Sequence, residues 1–236
     1  MNSNSSRPAS KKPLAVVTGA SRGIGRAIAL RLARKFDILA LARSRDALEE
    51  LAREIGALGS SCTVAVVDVA DPKEVAEALK GVDADVLVNN AGVGPMKPML
   101  ELTPKEWHAI VDVNFNGLYH VTRALLPRMI ARKRGHVVVI GSIAGRSGFV
   151  GGTAYAGSKH AAMAFAECLM LEVRDHGVKV SIVNPGSVAT EFSDRSDPSW
   201  MLSAEEVAES VAHVVDTPPD VLVHRLEIRA LAPKKK

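Results

Sequence analysis

Tyr155 and Lys159 stand four residues apart in an alanine-rich stretch, Tyr155-Ala-Gly-Ser-Lys159. In a helix that spacing puts both side chains on one face, with Cβ atoms about 5 to 6 Å apart. A free phenol ionises near pH ~10, and bringing it to neutrality takes roughly 4 kcal/mol. One ammonium at ~4 Å in an effective dielectric of ~20 supplies about that much before desolvation is subtracted. A tyrosine so placed gives a proton to a carbonyl oxygen, or accepts one from an alcohol, near neutral pH. Alone, a YxxxK spacing also fits an ordinary solvated helix face. Two polar residues strengthen the chemical reading. Ser142 ends an apolar run thirteen residues before Tyr155, where its hydroxyl is suited to hold a substrate oxygen. Asn114 lies in Val113-Asn-Phe-Asn116, and an amide buried in an apolar helical stretch needs a partner. A water-mediated proton path from Asn114 to Lys159 would provide one.

A second cluster, Thr18-Gly-Ala-Ser-Arg-Gly-Ile-Gly25, sits between an apolar β-branched run and a helical pattern. Gly19, Gly23 and Gly25 leave no Cβ to block a pyrophosphate from the free amides of a helix start. Their spacing is GxxxGxG, a variant of the more familiar GxGxxG. Arg22 sharpens the reading, because a cation at a helix N-terminus opposes the macrodipole by roughly 0.3 to 1 kcal/mol unless an anion arrives. The cofactor choice falls to the end of the second apolar run. An NAD site places an acid there for the ribose 2′-hydroxyl, whereas a 2′-phosphate calls for arginine. Asp46 falls beyond the run, in the first turn of a helical segment, and the end itself carries Ala42 and Arg43. Arg22 and Arg43 together favour NADP(H) over NAD.

The elements that must position these groups are legible as an alternation. Apolar runs at 14–18, 37–42, 63–67, 85–89, 136–141, 179–184 and 221–228 read as strands. Segments 26–34, 45–55, 73–79, 104–131, 155–175 and 204–215 have helical periodicity. Strands alternating with helices predict a doubly wound α/β fold, a parallel sheet with helices on both faces. In that architecture ligands bind outside the carboxyl ends of the strands, where the turns TGASRGIG, NNAG, GS and NPG all occur.

Composition narrows the class. The 236 residues are 47% hydrophobic and 24% charged, the balance of one globular domain. The net charge of +4 resides in Arg7, Lys11, Lys12 and Lys234 to Lys236, so the body between the tails is mildly acidic. The organisation expected is a basic tail at 1–12, one domain at 13–231 and a basic tail at 232–236. No aromatic residue interleaves the tail lysines, which argues against nucleic acid as a partner. No apolar run reaches a membrane span and the leader has no hydrophobic region, so a cytoplasmic protein without membrane contact is expected. Cys62 and Cys168 are isolated, and the seven histidines form no HExxH, so no disulfide or metal site is expected. The adjacency of Gly141 and Ser142 breaks GxSxG, and Gly152-Thr-Ala-Tyr-Ala-Gly-Ser-Lys159 reverses the Lys-Ser order of a P-loop.

These motifs, in this order, resemble the short-chain dehydrogenase/reductases from about residue 13 to 231: TGASRGIG at 18–25, Asp68-Val69, NNAG at 89–92, Asn114, Ser142, YAGSK at 155–159 and NPGSVAT at 184–190. The resemblance implies a single-domain Rossmann fold with a seven-stranded parallel sheet ordered 3-2-1-4-5-6-7. It also implies a catalytic tetrad of Asn114, Ser142, Tyr155 and Lys159. Tyr155 is then the general acid/base, Ser142 orients the substrate, Lys159 lowers the tyrosine pKa and grips the nicotinamide ribose, and Asn114 holds a relay water. Cofactor contacts fall to Gly19, Ser21, Arg22, Gly23, Ile24, Gly25 and Arg43, with Asp68 and Val69 framing the adenine. Asn90, Ala91 and Gly92 pack along it, and Pro185, Gly186, Val188 and Thr190 reach the nicotinamide, together with Tyr155 and Lys159. The sequence departs from the family at Asp37, before the second strand, and in a short segment after Thr190.

The activity so implied is NADP(H)-dependent hydride transfer between nicotinamide and a carbonyl or secondary alcohol. Phe149, Val150 and Phe192, with Ser142, are the candidate substrate contacts. Reduction of a small ketone, diketone or sugar and reduction of a carrier-linked 3-oxoacyl group are both open; for the latter Arg128, Arg132, Lys133 and Arg134 offer a candidate basic docking patch, although cations there equally suit the last turn of a helix. A non-catalytic NADP-sensing regulator or scaffold is the competing reading. Segment 154–173 is apolar around most of its circumference, so its second face needs a cover, and a neighbouring subunit in a homodimer or homotetramer is expected ahead of the helix carrying Asn114.

Overall fold

Residues 12–192 and 199–231 are described by the computed structural model of the chain. Its strands are short aliphatic runs: β1 (Leu14–Thr18), β2 (Asp37–Ala42), β3 (Cys62–Val66), β4 (Val86–Asn89), β5 (Gly135–Ile140), β6 (Val178–Pro185) and β7 (Arg225–Ile228). They form one sheet in the order β3-β2-β1-β4-β5-β6-β7, with every neighbouring pair parallel. The central strands are buried on both faces, so they need no polar alternation.

Two hydrophobic layers lie on either side of the sheet. Helices α1 (Gly23–Leu32), α2 (Arg45–Ala57) and α7 (Ala204–Val215) cover one face through residues such as Ile28, Leu48, Leu51 and Val211. Helices α3 (Pro72–Ala78), α5 (Gly117–Ala131) and α6 (Thr153–Val173) cover the other through Val75, Leu125, Met129 and Leu169. A further helix, α4 (Pro104–Val111), begins at a reciprocal capping box between Thr103 and Glu106, with proline at its first position. Ser203 and Glu206 start α7 in the same way.

Three sequence expectations change. The helical segment at 104–131 is not continuous: a π turn, Asp112–Asn116, separates α4 from α5. No glycine or interior proline marks that turn in the sequence. The last strand begins at Arg225 rather than at 221, because the Val221 carbonyl accepts from Lys179 Nζ at 2.7 Å and its amide donates to Pro218 O. Of the basic tails, Lys12 belongs to the folded body, where its Nζ donates to Gly59 O at 3.2 Å and Ser60 Oγ at 2.5 Å. The remainder of both tails lies outside the described residues.

Asp37, the departure before β2, is 3% exposed and its carboxylate accepts the Ser61 amide at 3.0 Å. Among the described residues no helix is long and apolar enough to cross a membrane, and no group of histidine, cysteine and acidic side chains is placed to hold a metal ion.

Candidate active site

The carboxyl ends of the central strands open into a crevice of about 910 Å³. At one end the glycine turn joins β1 to α1. Gly19 and Gly23 have φ of +64° and +53°, a region costly for side chains bearing Cβ, and a Cβ on Gly25 would strike the Gly19 carbonyl. Arg22 occupies the N-cap of α1 in extended conformation without capping it, and the first turn contains no acid. The first amides of α1 therefore face an anion-ready cradle. The turn is locked to the loop after β4. Thr18 Oγ1 accepts the Asn90 and Ala91 amides, both at 3.0 Å, and Asn90 Nδ2 donates to the carbonyls of Thr18 and Gly19.

Every residue expected at the cofactor lines this crevice: Gly19, Ser21, Arg22, Gly23, Ile24, Gly25, Arg43, Asp68, Val69, Asn90, Ala91, Gly92, Tyr155, Lys159, Pro185, Gly186, Val188 and Thr190. A glycine cradle that Cβ atoms would fill, with uncapped amides and two arginines, fits a phosphorylated dinucleotide. Two of the cations already have protein partners. Arg22 donates to Glu191 Oε2 at 2.6 Å, and Arg43 lies 3.7 Å from Asp68.

At the other end stand the catalytic candidates. Ser142 follows β5 and caps a short 3₁₀ turn, its Oγ accepting the Ala144 amide at 3.1 Å and its own amide donating to Asn184 Oδ1 at 3.1 Å. A Cβ on Gly141 would collide with that Asn184 oxygen, so the glycine is required for the contact. Tyr155 and Lys159 lie in the first turns of α6 and both line the crevice.

Their electrostatics differ from the sequence expectation. Burial pushes the Tyr155 phenol above its ordinary value, and the Ser142 hydroxyl only partly offsets it. Lys159 does not lower it here. Its Nζ lies 6.0 Å from the Tyr155 ring centre and donates to Ile140 O at 2.8 Å. Burial also brings the Lys159 pKa down to about 8. Desolvation therefore dominates at the phenol, while the ammonium is held by the last carbonyl of β5.

Asn114 is buried in the π turn, but its amide is not left waiting for a water. Its Oδ1 accepts the Val93 amide at 2.8 Å, and its Nδ2 donates to Val93 O at 2.9 Å and Ser158 Oγ at 3.0 Å. Ser158 in turn donates to the Tyr155 carbonyl at 2.8 Å. Asn114 thus ties the loop after β4 to the helical turn that carries Tyr155, through a serine that sequence reasoning passed over inside YAGSK. Beneath it lies a separate cavity of about 10 Å³, lined in part by Thr18, Asn89, Asn114 and Lys159. That is room for one water among polar groups.

Of the candidate substrate contacts, Ser142, Phe149 and Phe192 line the crevice. Val150 does not, and it is 94% exposed. Phe192 leans on Tyr155 with ring centres 5.6 Å apart, and both rings press on Gly94, where a Cβ would come within 2.7 Å of Tyr155 Cδ2 and 2.8 Å of Phe192 Cζ. Met96 completes this apolar wall and, like Gly94, carried no motif signal.

The basic patch is a correction in place and charge. Arg128 makes a bidentate pair with Asp83 at 2.8 and 2.7 Å, Arg132 approaches Asp83 at 3.7 Å, and Arg134 bonds Asp85 at 2.7 Å. These residues, with Lys133, precede β5 and so lie at the end of the sheet opposite the crevice.

Residues 13–199 match the short chain dehydrogenase family. The chain is 37% identical over 243 residues to glycine betaine reductase ATRR of Emericella nidulans, covering 94% of this chain and 19% of that protein. It is 33% identical over 183 residues to the 3-oxoacyl-[acyl-carrier-protein] reductase FabG of Escherichia coli K12, covering 76% and 75%. Its length spans 60% of the bovine dehydrogenase/reductase SDR family member 7B. Among solved structures it resembles an alcohol dehydrogenase of Thermococcus sibiricus complexed with 5-hydroxy-NADP, with TM-score 0.88, 32% identity and coverage of 96% and 100%. With the seven-stranded parallel sheet, the glycine turn and the Ser142, Tyr155 and Lys159 constellation in place, this chain belongs to the short chain dehydrogenase family.

Proposed function

We propose that the chain is an NADP(H)-dependent oxidoreductase that interconverts an uncharged carbonyl compound and its secondary alcohol. The observation that carries this is the continuity of one crevice. It runs from the phosphate cradle and Arg43 to Ser142, Tyr155 and Lys159. Arg43 and Arg22 hold phosphate, and Val188 and Thr190 flank the nicotinamide. When bound, the cofactor supplies or removes the hydride.

The chain's own residues handle the oxygen and its proton. The Ser142 Oγ accepts from Ala144, and its hydroxyl bonds the Tyr155 phenol, so the two oxygens stand together to receive one substrate oxygen between them. Tyr155, kept protonated by burial, delivers its proton to that oxygen as the carbonyl carbon is reduced, leaving an alcohol and a tyrosinate. Proton return runs through Lys159, which borders both the crevice and the water-sized cavity against Asn114. Re-aiming of the ammonium from Ile140 O toward the tyrosinate stabilises that anion.

The wall made by Met96, Phe149 and Phe192 favours a neutral, apolar substrate. A carrier-linked substrate has lost its docking patch, since Arg128, Arg132 and Arg134 are paired at the far end of the sheet. A homodimer or homotetramer is proposed through the outer face of α6, where Ala164, Cys168 and Leu171 are exposed; sedimentation as a monomer would exclude it.

Following NADPH absorbance with neutral and anionic ketones tests the function. Consumption by the wild type and loss of at least ~10²-fold in Tyr155→Phe, with cofactor binding retained, is the expected result. A chain that binds NADPH but turns over no ketone, with Tyr155→Phe indistinguishable from wild type, would be the non-catalytic sensor instead.

A further inference from the structure

Arg22 and Glu191 face each other across the mouth of the crevice. Arg22 belongs to the glycine turn and Glu191 to the segment after β6, and the two side chains meet at 2.6 Å. The contact is held from both sides. Thr190 rests on the turn, its Cγ2 3.4 Å from where a Cβ of Gly23 would lie. The segment is pinned behind it by the Ala189 amide on Leu202 O at 2.8 Å and the Leu202 amide on Ser187 O at 3.0 Å. Nothing in the first turn of α1 competes for the arginine, since that turn contains no acid and Arg22 makes no side-chain cap.

We infer that Glu191 is a built-in anion that occupies Arg22 in place of the cofactor's phosphate and so sets how tightly the dinucleotide is held. This rests on the reading of Arg22 as a phosphate contact and goes beyond it. The carboxylate and the phosphate compete for the same guanidinium, whose Nη1 is already taken by Glu191. Both side chains are 72% exposed, which makes the pair weak enough to open. Its effect is therefore to tune affinity rather than to block binding. If the paired form holds about four fifths of the free protein, the apparent dissociation constant rises about fivefold. The pair re-forms as the phosphate leaves.

The test is NADPH binding by fluorescence titration in low salt, without any turnover. Glu191→Gln is expected to bind two- to fivefold more tightly than wild type, with the gain fading at ~0.5 M salt. In an Arg22→Gln background the same glutamate substitution is expected to change nothing, because no guanidinium remains to contest. Unchanged or weaker binding by Glu191→Gln overturns the inference. Equal tightening in both backgrounds also overturns it, since Glu191 would then repel the phosphates directly. If Arg22→Gln alone binds NADPH as well as wild type does, the phosphate role of Arg22 fails, and that failure is read separately from the glutamate's.

Discussion

Replacing Lys159 with methionine is expected to remove activity and raise stability. Lys159 is 7% exposed, and burial has lowered its pKa from 10.5 to about 8. At ~1.36 kcal/mol per pH unit, keeping it charged costs the native state roughly 3 to 4 kcal/mol at neutral pH. Methionine has a similar shape but abandons the bond to Ile140 O, and a buried carbonyl without its donor costs about 1.5 kcal/mol. The balance is a gain of about 2 kcal/mol, or ~4 to 8 °C in Tm for a chain of this size. The sign follows from linkage. Because the folded pKa lies below the unfolded one, the native state is penalised wherever the unfolded lysine is protonated. The penalty is absent above pH ~10.5, grows as pH falls to about 8 and is constant below. Urea unfolding of both proteins at pH 7 and pH 10.5 measures it. A variant no more stable than wild type at pH 7, or one with the same advantage at both pH values, would refute the claim that a desolvated ammonium is stored beneath the crevice.

Arg43→Asp is expected to reduce discrimination for NADP(H) over NAD(H) by about tenfold or more, since one charge-assisted bond to the 2′-phosphate is lost and Asp68 lies beside the new carboxylate. Dissociation constants for both cofactors report it, and an unchanged ratio counts against Arg43. His136 is buried against Ser181 Oγ at 2.8 Å, and desolvation, with a smaller contribution from Lys179, pushes its pKa down to about 4. Its neutral form contributes stability in full above pH ~6.5, lost progressively as pH falls toward 4. His136→Gln should flatten the decline in unfolding free energy between pH 7 and 4, and an unaltered slope would contradict the burial of a neutral imidazole.

What the sequence made legible were residues whose type admits little substitution. Glycines at the phosphate turn, Arg22 at a helix start, Arg43 at a strand end and the Tyr155, Lys159 and Ser142 set all landed in one crevice. Gly94 escaped notice because a glycine in a loop announces a turn as readily as a close approach to two aromatic rings. Ser158 escaped because its neighbours in YAGSK carry the chemistry. The direction of Lys159 was misjudged for a physical reason: helical spacing fixes where a side chain starts, while the carbonyl of Ile140 decides where its ammonium ends. The arginines of 128–134 looked free because Asp83 and Asp85 precede them by more than forty residues.

The π turn at Asp112–Asn116 has a consequence for helical phase. With 3.6 residues per α turn, one additional residue rotates everything beyond it by about 100°. Pro104–Val111 and Gly117–Ala131 therefore present their inward stripes on separate azimuths, as two rods spliced out of step. Deleting a single residue between 112 and 116 would splice them in step, and would swing either the Thr103 cap or the Leu125 and Met129 stripe away from its bed.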